Sequence, residues 1–512
     1  MKFFSNQTIE RSFFYFIVLL FASPLLFQSY FPTNDGPAHL YNAHLILEHL
    51  GGNSTFISQL FEFNSHVEPN WIGHFLFVLF DFFFSSSVSE RIIVALCMIS
   101  LPISIRFFCT STLNGKTYPA YLAIPFAYNF ILVLGFYNFC LGLSLLFFGI
   151  SFLNKSNFSF SGKSILSLFL FGIILYFSHL IVYGIFLALL AGGIVFYKRF
   201  NAKELVKVVL SQLPFIVLSL LFYINKSGSS ASDSMEFGEL FKWLYQSAPL
   251  LLFNETNERW FGLFFNGLLL TLLIVGIVSN WNKGNLKTDW RKASLICCSL
   301  LIIVILYFFF PNSFATGGFI SIRMLLLFYL FLFGLMAYFP IKKIVLIPSM
   351  ALLLCVAFYE QLERFTISRE LSGQAEQLMI SETYIHPKSI LLPLNYSSNW
   401  LHSNFSNYLG TNKLVLVLDN YEAGTPHFPL KWRENFNPMG QIGNFGGSRN
   451  PTIEVENYEQ KYPVKIDYIT RWYYDDQTTD STNIATDKKI RANFQLIYRS
   501  PSKGIELFKR KK

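Results

Sequence analysis

Apolar runs of nearly bilayer length recur from Ser12 to Tyr359, and they narrow the possible folds more than any other feature. They fall at 12–31, 71–84, 90–108, 118–134, 136–153, 164–178, 180–197, 204–224, 260–279, 293–310, 320–338 and 341–359. A helix needs about 20 such residues to cross the hydrocarbon core. The chain is 53% hydrophobic and only 14% charged, where an ordinary soluble domain is about 25% charged. The fold class expected is a polytopic α-helical membrane protein of about 11–12 spans. A C-terminal extracytoplasmic α/β domain follows the spans.

Lys2 and Arg11 precede the first apolar run in the manner of a signal peptide. The Phe27-Gln-Ser-Tyr-Phe-Pro stretch offers no small-residue cleavage site, so a retained first helix is expected. The six cysteines lie in or beside apolar runs without metal-type spacing, and they read as small hydrophobes. The net charge of +9 comes largely from basic loops. That argues for a membrane-embedded chain with no nucleic-acid partner.

Basic clusters at Lys155/Lys163, Lys198-Arg199-Lys203, Lys283 to Lys292 and Lys342-Lys343 place those loops in the cytoplasm. Loops 32–70, 225–259 and 311–319 then face outward. Twelve crossings would return the tail to the cytoplasm, whereas Lys342-Lys343 sends the last span outward. Segment 71–84 is therefore the candidate for a re-entrant or interfacial helix, being short and carrying His74 and Asp81. The expected domains are a transmembrane domain, 1–359, with first outer loop 32–70, and a soluble domain, 360–512. In the latter, strands are expected at Ser389 to Leu394, Lys413 to Leu418, Val464 to Tyr468, Phe494 to Tyr498 and Ile505 to Phe508. A turn at Pro501-Ser-Lys-Gly504 joins the last two as a hairpin, and Asn399 to Leu409 is a candidate helix.

Reactive side chains are concentrated near the first span. Six acids and five of the nine histidines lie between Ser12 and Glu90, with no Lys or Arg among them. Asp35, followed by Gly36-Pro37, suits an N-cap for a helix over 37–50. Alternatively, a partly desolvated carboxylate there suits a general base. Asp35 and His39 are four apart, as are His44 and Glu48, so each pair shares a helix face. A carboxylate with an imidazole is half a site for a divalent metal, and Glu62, His66, Glu68 and His74 are the available further donors. The competing reading is the solvated polar face of an interfacial helix.

Arg323 lies a few residues inside a late span. Such an arginine needs a partner, and a phosphate suits it; the alternative is snorkelling to the interface. His179 interrupts an apolar stretch at a turn. Loop 225–259 carries Asp233, Glu236, Glu239, Glu255 and Glu258, with an amphipathic Phe237 to Phe253. In the tail, His402, Asp419, Glu422, His427 and Asp475-Asp476 show no catalytic spacing. Phosphate-loop, esterase-elbow and zincin motifs do not occur.

Over roughly residues 10–360, the layout resembles the GT-C superfamily of integral-membrane glycosyltransferases, such as protein O-mannosyltransferases and aminoarabinose transferases. The resemblance rests on Thr33-Asn-Asp35-Gly-Pro-Ala-His39 just after the first span, on Glu68-Pro-Asn-Trp-Ile-Gly-His74 at the loop's end, and on Arg323. Gly36 stands where a second acid is commoner. The resemblance implies inverting transfer of a sugar from a polyprenyl-phosphate donor to an extracytoplasmic lipid, glycan or protein acceptor. It implies an inner or plasma membrane location. Asp35 would be catalytic, and Arg323 would meet the donor phosphate. His39, His44, Glu68 and His74 would bind a divalent metal or substrate. The rival readings are a transporter or flippase for lipid-linked or anionic solutes, whose ionisable residues would form a relay, and a non-catalytic assembly protein acting through its tail.

Overall fold

The computed structural model of the protein describes residues 6–111, 116–158, 160–198, 201–226, 234–281, 290–314, 317–433, 438, 441–443, 445, 451–462, 464–502 and 504–512. Arg199, Asp233, Lys283 and Lys503 lie outside them. The chain divides into two compact units, Met1–Leu25 with Val94–Ile367, and Leu26–Ile93 with Ser368–Lys512.

Among the described residues, seven helices are long and apolar enough to cross a membrane. They are Gln7–Phe27, Ser86–Ser111, Tyr137–Lys155, Leu180–Tyr197, Ala202–Asn225, Glu255–Ser279 and Lys343–Glu382. Four shorter apolar helices, Ile72–Phe83, Gly162–Ser178, Ala293–Phe309 and Ile320–Met336, accompany them. The run expected to span at 118–134 does not form one helix. It breaks into Pro119–Leu122, a 3-10 turn Pro125–Ala127, and Phe130–Val133. Pro119 and Pro125 each start a new turn, and the Asn129 side chain caps the third piece by accepting from Leu132 N. The last span runs on past Tyr359 to Glu382, although the composition turns polar there.

In the first unit, helix Ile320–Met336 packs closely on Ser86–Ser111. A Cβ built on Gly334 would lie 2.0 Å from the Phe108 ring, so only glycine allows this approach. Glu258 accepts the backbone N–H groups of Leu252, Phe253 and Asn254, and Arg364 donates to it at 3.0 Å. Two charges buried in this apolar unit are thereby satisfied together.

Among the described residues, the second unit holds seven strands. They are β1 (Phe61–Phe63), β2 (Ser389–Asn395), β3 (Val415–Val417), β4 (Leu430–Trp432), β5 (Tyr468–Trp472), β6 (Phe494–Arg499) and β7 (Ile505–Arg510). Five form a mixed sheet of order β3-β2-β5-β7-β6, with β2 parallel to both β3 and β5. Strand β2 is buried along its whole length, as an interior strand with parallel neighbours should be. The expected terminal hairpin is present as β6 and β7. The third expected strand lies further on, at β5, and Asn399 to Leu409 forms two 3-10 turns instead of a helix.

The units depart from the expected division at residue 359. Segment 26–93 clusters with the tail, because β1 pairs antiparallel with β4 and the Phe61 ring stacks on Trp432 at 4.4 Å. The Tyr41 hydroxyl also donates to Val415 O and accepts from Val417 N, which fastens helix Gly36–Glu48 to the edge strand β3.

Arg471 on β5 is fully buried. It pairs with Glu506 of β7 and, at 2.6 Å, with Asp487, and its guanidinium lies over the Tyr474 ring. Removing one partner of a buried pair leaves an uncompensated charge. Arg471→Leu should therefore cost about 3–5 kcal/mol. Thermal unfolding of the full chain in detergent tests this, and an unchanged Tm would count against it.

Candidate metal and general-base site

Helix Gly36–Glu48 opens just after Asp35, with Pro37 in its first turn. The Asp35 backbone carbonyl accepts from the N–H groups of Ala38 and His39, at 3.1 and 3.0 Å. The side chain makes no capping bond; Thr33 Oγ1 accepts from Gly36 N instead. The capping reading of the Asp35 carboxylate is thereby overturned. The half-buried carboxylate receives Asn404 Nδ2 at 3.4 Å and the Tyr421 hydroxyl.

Asp35, His39 and Asn42 are spaced i, i+4 and i+7, which places them on one side of the helix. Opposite them runs Asp419-Asn420-Tyr421-Glu422, directly beyond parallel strand β3. Ligand sites in α/β folds favour the space past the carboxyl ends of such strands. Each residue of this loop meets a particular partner. Asn420 and Asn42 exchange reciprocal amide hydrogen bonds at 3.0 Å. Tyr421 donates to Asp35. Glu422 lies between His39 Nδ1 and His74 Nε2, the latter at 2.9 Å. Asp419 accepts from Ser406 Oγ at 2.5 Å and from Asn407 Nδ2 at 3.4 Å.

His74 comes from helix Ile72–Phe83, which buries Gly73, His74 and Phe77 and exposes Phe75, Leu79, Phe82 and Phe83. The His39 and His74 rings stand perpendicular, 5.2 Å apart, and Phe428 covers both at 5.8 and 5.4 Å. Burial alone would raise the Glu422 carboxyl. The two imidazoles outweigh it and hold the group down at about 2. Three residues earlier, burial pushes the Asp419 carboxyl up to about 7.

His39, His74 and Glu422 are all buried, with ligand atoms within 4.8 Å of one another, and the group could hold a metal ion. Two imidazoles and a carboxylate suit a first-row divalent metal. Ligand bonds of about 2.0–2.2 Å would set the donor atoms farther apart than the present contacts between Glu422 and the imidazoles, so those contacts would open around an ion. His74 Nδ1 is buried with no hydrogen-bond partner among the described residues. It therefore lacks the outer hydrogen bond that usually orients a ligating histidine.

The structure thus brings Asp35, His39 and His74 into one neighbourhood. His44 turns elsewhere, with Nδ1 3.5 Å from Asp81 and Nε2 3.8 Å from Glu48. Glu68 is buried but is not part of the three-residue group. Arg323, in the first unit, is buried and so does not snorkel. Its Nη1 lies 2.8 Å from His179 Nε2 and its guanidinium stacks over Phe136 at 4.4 Å. His179 itself is the break between helices Gly162–Ser178 and Leu180–Lys198. Glu422, the third donor, has no neighbour in sequence that marks it. The available signal was an apolar strand running straight into four polar residues.

No protein-family model matches this chain, and no curated protein matches it.

A carboxyl held below its ordinary value contributes stability above that value and loses it as pH falls toward the folded one. For Glu422 the window runs from about 4.5 down to about 2. In chelator-treated full-length protein, wild type should lose on the order of 3 kcal/mol across that window. Glu422→Gln should be less stable at pH 7 and lack this acid-dependent loss, as read by thermal unfolding at stepped pH. An acid profile identical to wild type would contradict the pairing.

Proposed function

We propose that this chain is a membrane-embedded glycosyltransferase that moves a sugar, with inversion, from a polyprenyl-phosphate donor to a lipid, glycan or protein acceptor. The observation that carries the reading is the Asp35 carboxylate. It is not consumed in capping its helix, remains half exposed, and stands one turn before His39 of the His39–Glu422–His74 group. Under this reading the tail faces the outer side of an inner or plasma membrane.

Asp35 accepts the proton of the acceptor hydroxyl as that oxygen bonds to the anomeric carbon. The bond from that carbon to the phosphate oxygen breaks, and its electron pair leaves with the polyprenyl phosphate. Asn404 and Tyr421 orient the carboxylate. Burial, Asp35 and Glu422 raise the Tyr421 hydroxyl well above its ordinary value, so it stays protonated and keeps donating. His39, His74 and Glu422 would hold a divalent cation, which supplies positive charge against developing phosphate charge.

One observation favours a carrier instead. Arg323 and His179 meet inside an apolar helical unit, and ionisable residues so placed often mark transport paths. Translocation of a lipid-linked sugar by the purified chain in liposomes, without sugar transfer, would decide for the carrier.

The transferase reading is tested on membranes carrying wild type or Asp35→Asn, supplied with polyprenyl-phosphate sugars. Loss of a general base typically costs 10²–10⁴-fold, so turnover should fall at least about 100-fold at equal expression. Full turnover in Asp35→Asn would sink the proposal.

A further inference from the structure

A cleft of about 610 Å³ opens in the second unit and shares no residue with the metal-type group. Its walls come from the turn Ser23–Phe27 and the residues just after it, from the start of helix Ser86–Ser111, and from the Arg369–Glu376 stretch of the last long helix. Arg91 and Arg369 line it, with Glu376 as the one acid among its lining residues. Arg91 is held by backbone carbonyls, Nε donating to Ser87 O at 3.1 Å and Nη1 to Gln28 O at 3.0 Å. Arg369 is exposed, and neither arginine forms an ion pair among the described residues. The first amides of a 26-residue helix also begin at this wall, and that end of a helix carries partial positive charge.

The rim is of opposite character. Leu26 and Phe27, both in the lining, are 77% and 71% exposed. Phe82, Phe83 and Phe84, which lead directly into Ser85 of the cleft wall, are 69%, 66% and 49% exposed. Exposed apolar side chains in this density mark an interaction surface. A cationic, hydroxyl-lined cleft bordered by bare Leu and Phe matches an amphiphile carrying a phosphate. A free anion would have no use for the rim.

We propose that this cleft binds the phosphate headgroup of a lipid. Arg91 and Arg369 contact the phosphate, and Leu26, Phe27 and the Phe82–Phe84 run lie against the acyl chains. The inference goes beyond the transferase reading and does not depend on it, since it is tested by binding without turnover.

The test uses full-length protein in a neutral detergent, titrated separately with phosphatidylglycerol, diacylglycerol and inorganic phosphate, and read by thermal stabilisation and by lipid adducts in native mass spectrometry. Phosphatidylglycerol should stabilise wild type saturably, and diacylglycerol should not. Each of Arg369→Gln and Arg91→Gln should weaken that binding about tenfold or more, the usual worth of a hydrogen bond to a charged group. Arg369→Gln removes an exposed side chain and leaves the fold intact even if Arg91→Gln unfolds. Equal stabilisation by inorganic phosphate alone would overturn the lipid assignment in favour of a free-anion site. Unchanged phosphatidylglycerol binding in Arg369→Gln would overturn the site itself.

Discussion

Glu422 is a carboxylate with no exposure to solvent, and the second unit is organised around satisfying it. Burying an isolated anion costs many kcal/mol unless it is paired and hydrogen-bonded. The partners are His39, from the helix after the first apolar run, and His74, from the short helix that follows. A residue far along the tail thus requires two helices from the chain's beginning to lie beside the end of β3. The amide pair Asn42–Asn420 and the Tyr41 bridge to β3 repeat the same demand at neighbouring positions. Each is a buried polar group with few alternatives, and together they explain why segment 26–93 belongs to the tail's unit.

The apolar unit meets the same constraint with fewer residues. Glu258 takes three backbone amides and Arg364, while Arg323 lies against His179 and the Phe136 ring. Charges in such surroundings persist only where their partners are built in. The close approach at Gly334 shows the complementary device, a gain from tight packing of helix against helix.

Much of this was readable from residues alone, and the limits have physical causes. Helical runs of bilayer length are a strong local signal, so most apolar helices fall where hydropathy places them. The run at 118–134 misled because window hydropathy ignores that Pro119, Pro125 and Asn129 restart the backbone. Lys343–Glu382 outlasted its apolar stretch because helix formation continues through good formers such as Gln361, Glu363 and Arg364 whatever their polarity. At the site, the acid–histidine density pointed to the segment that supplies His39 and His74 to the three-residue group. Glu422 stayed hidden because its contacts span more than 340 positions of chain, and no local periodicity encodes a pairing of that range. His44 shows the converse error. It matches the pattern of a ligand, but its direction on the helix takes it to Asp81.

Two acids three residues apart, Asp419 and Glu422, are tuned in opposite directions, and the difference separates their roles. Burial with only hydroxyl and amide partners holds Asp419 near 7, whereas two imidazoles hold Glu422 near 2. The contacts from Asp419 through Asn407 and Asn404 to Asp35 suggest a proton path. Carboxamides make a poor one, because an amide N–H donates without readily giving up its proton. The chain of amides therefore acts as a positioning frame. It aims the Asp35 carboxylate, while the two imidazoles keep Glu422 anionic at physiological pH.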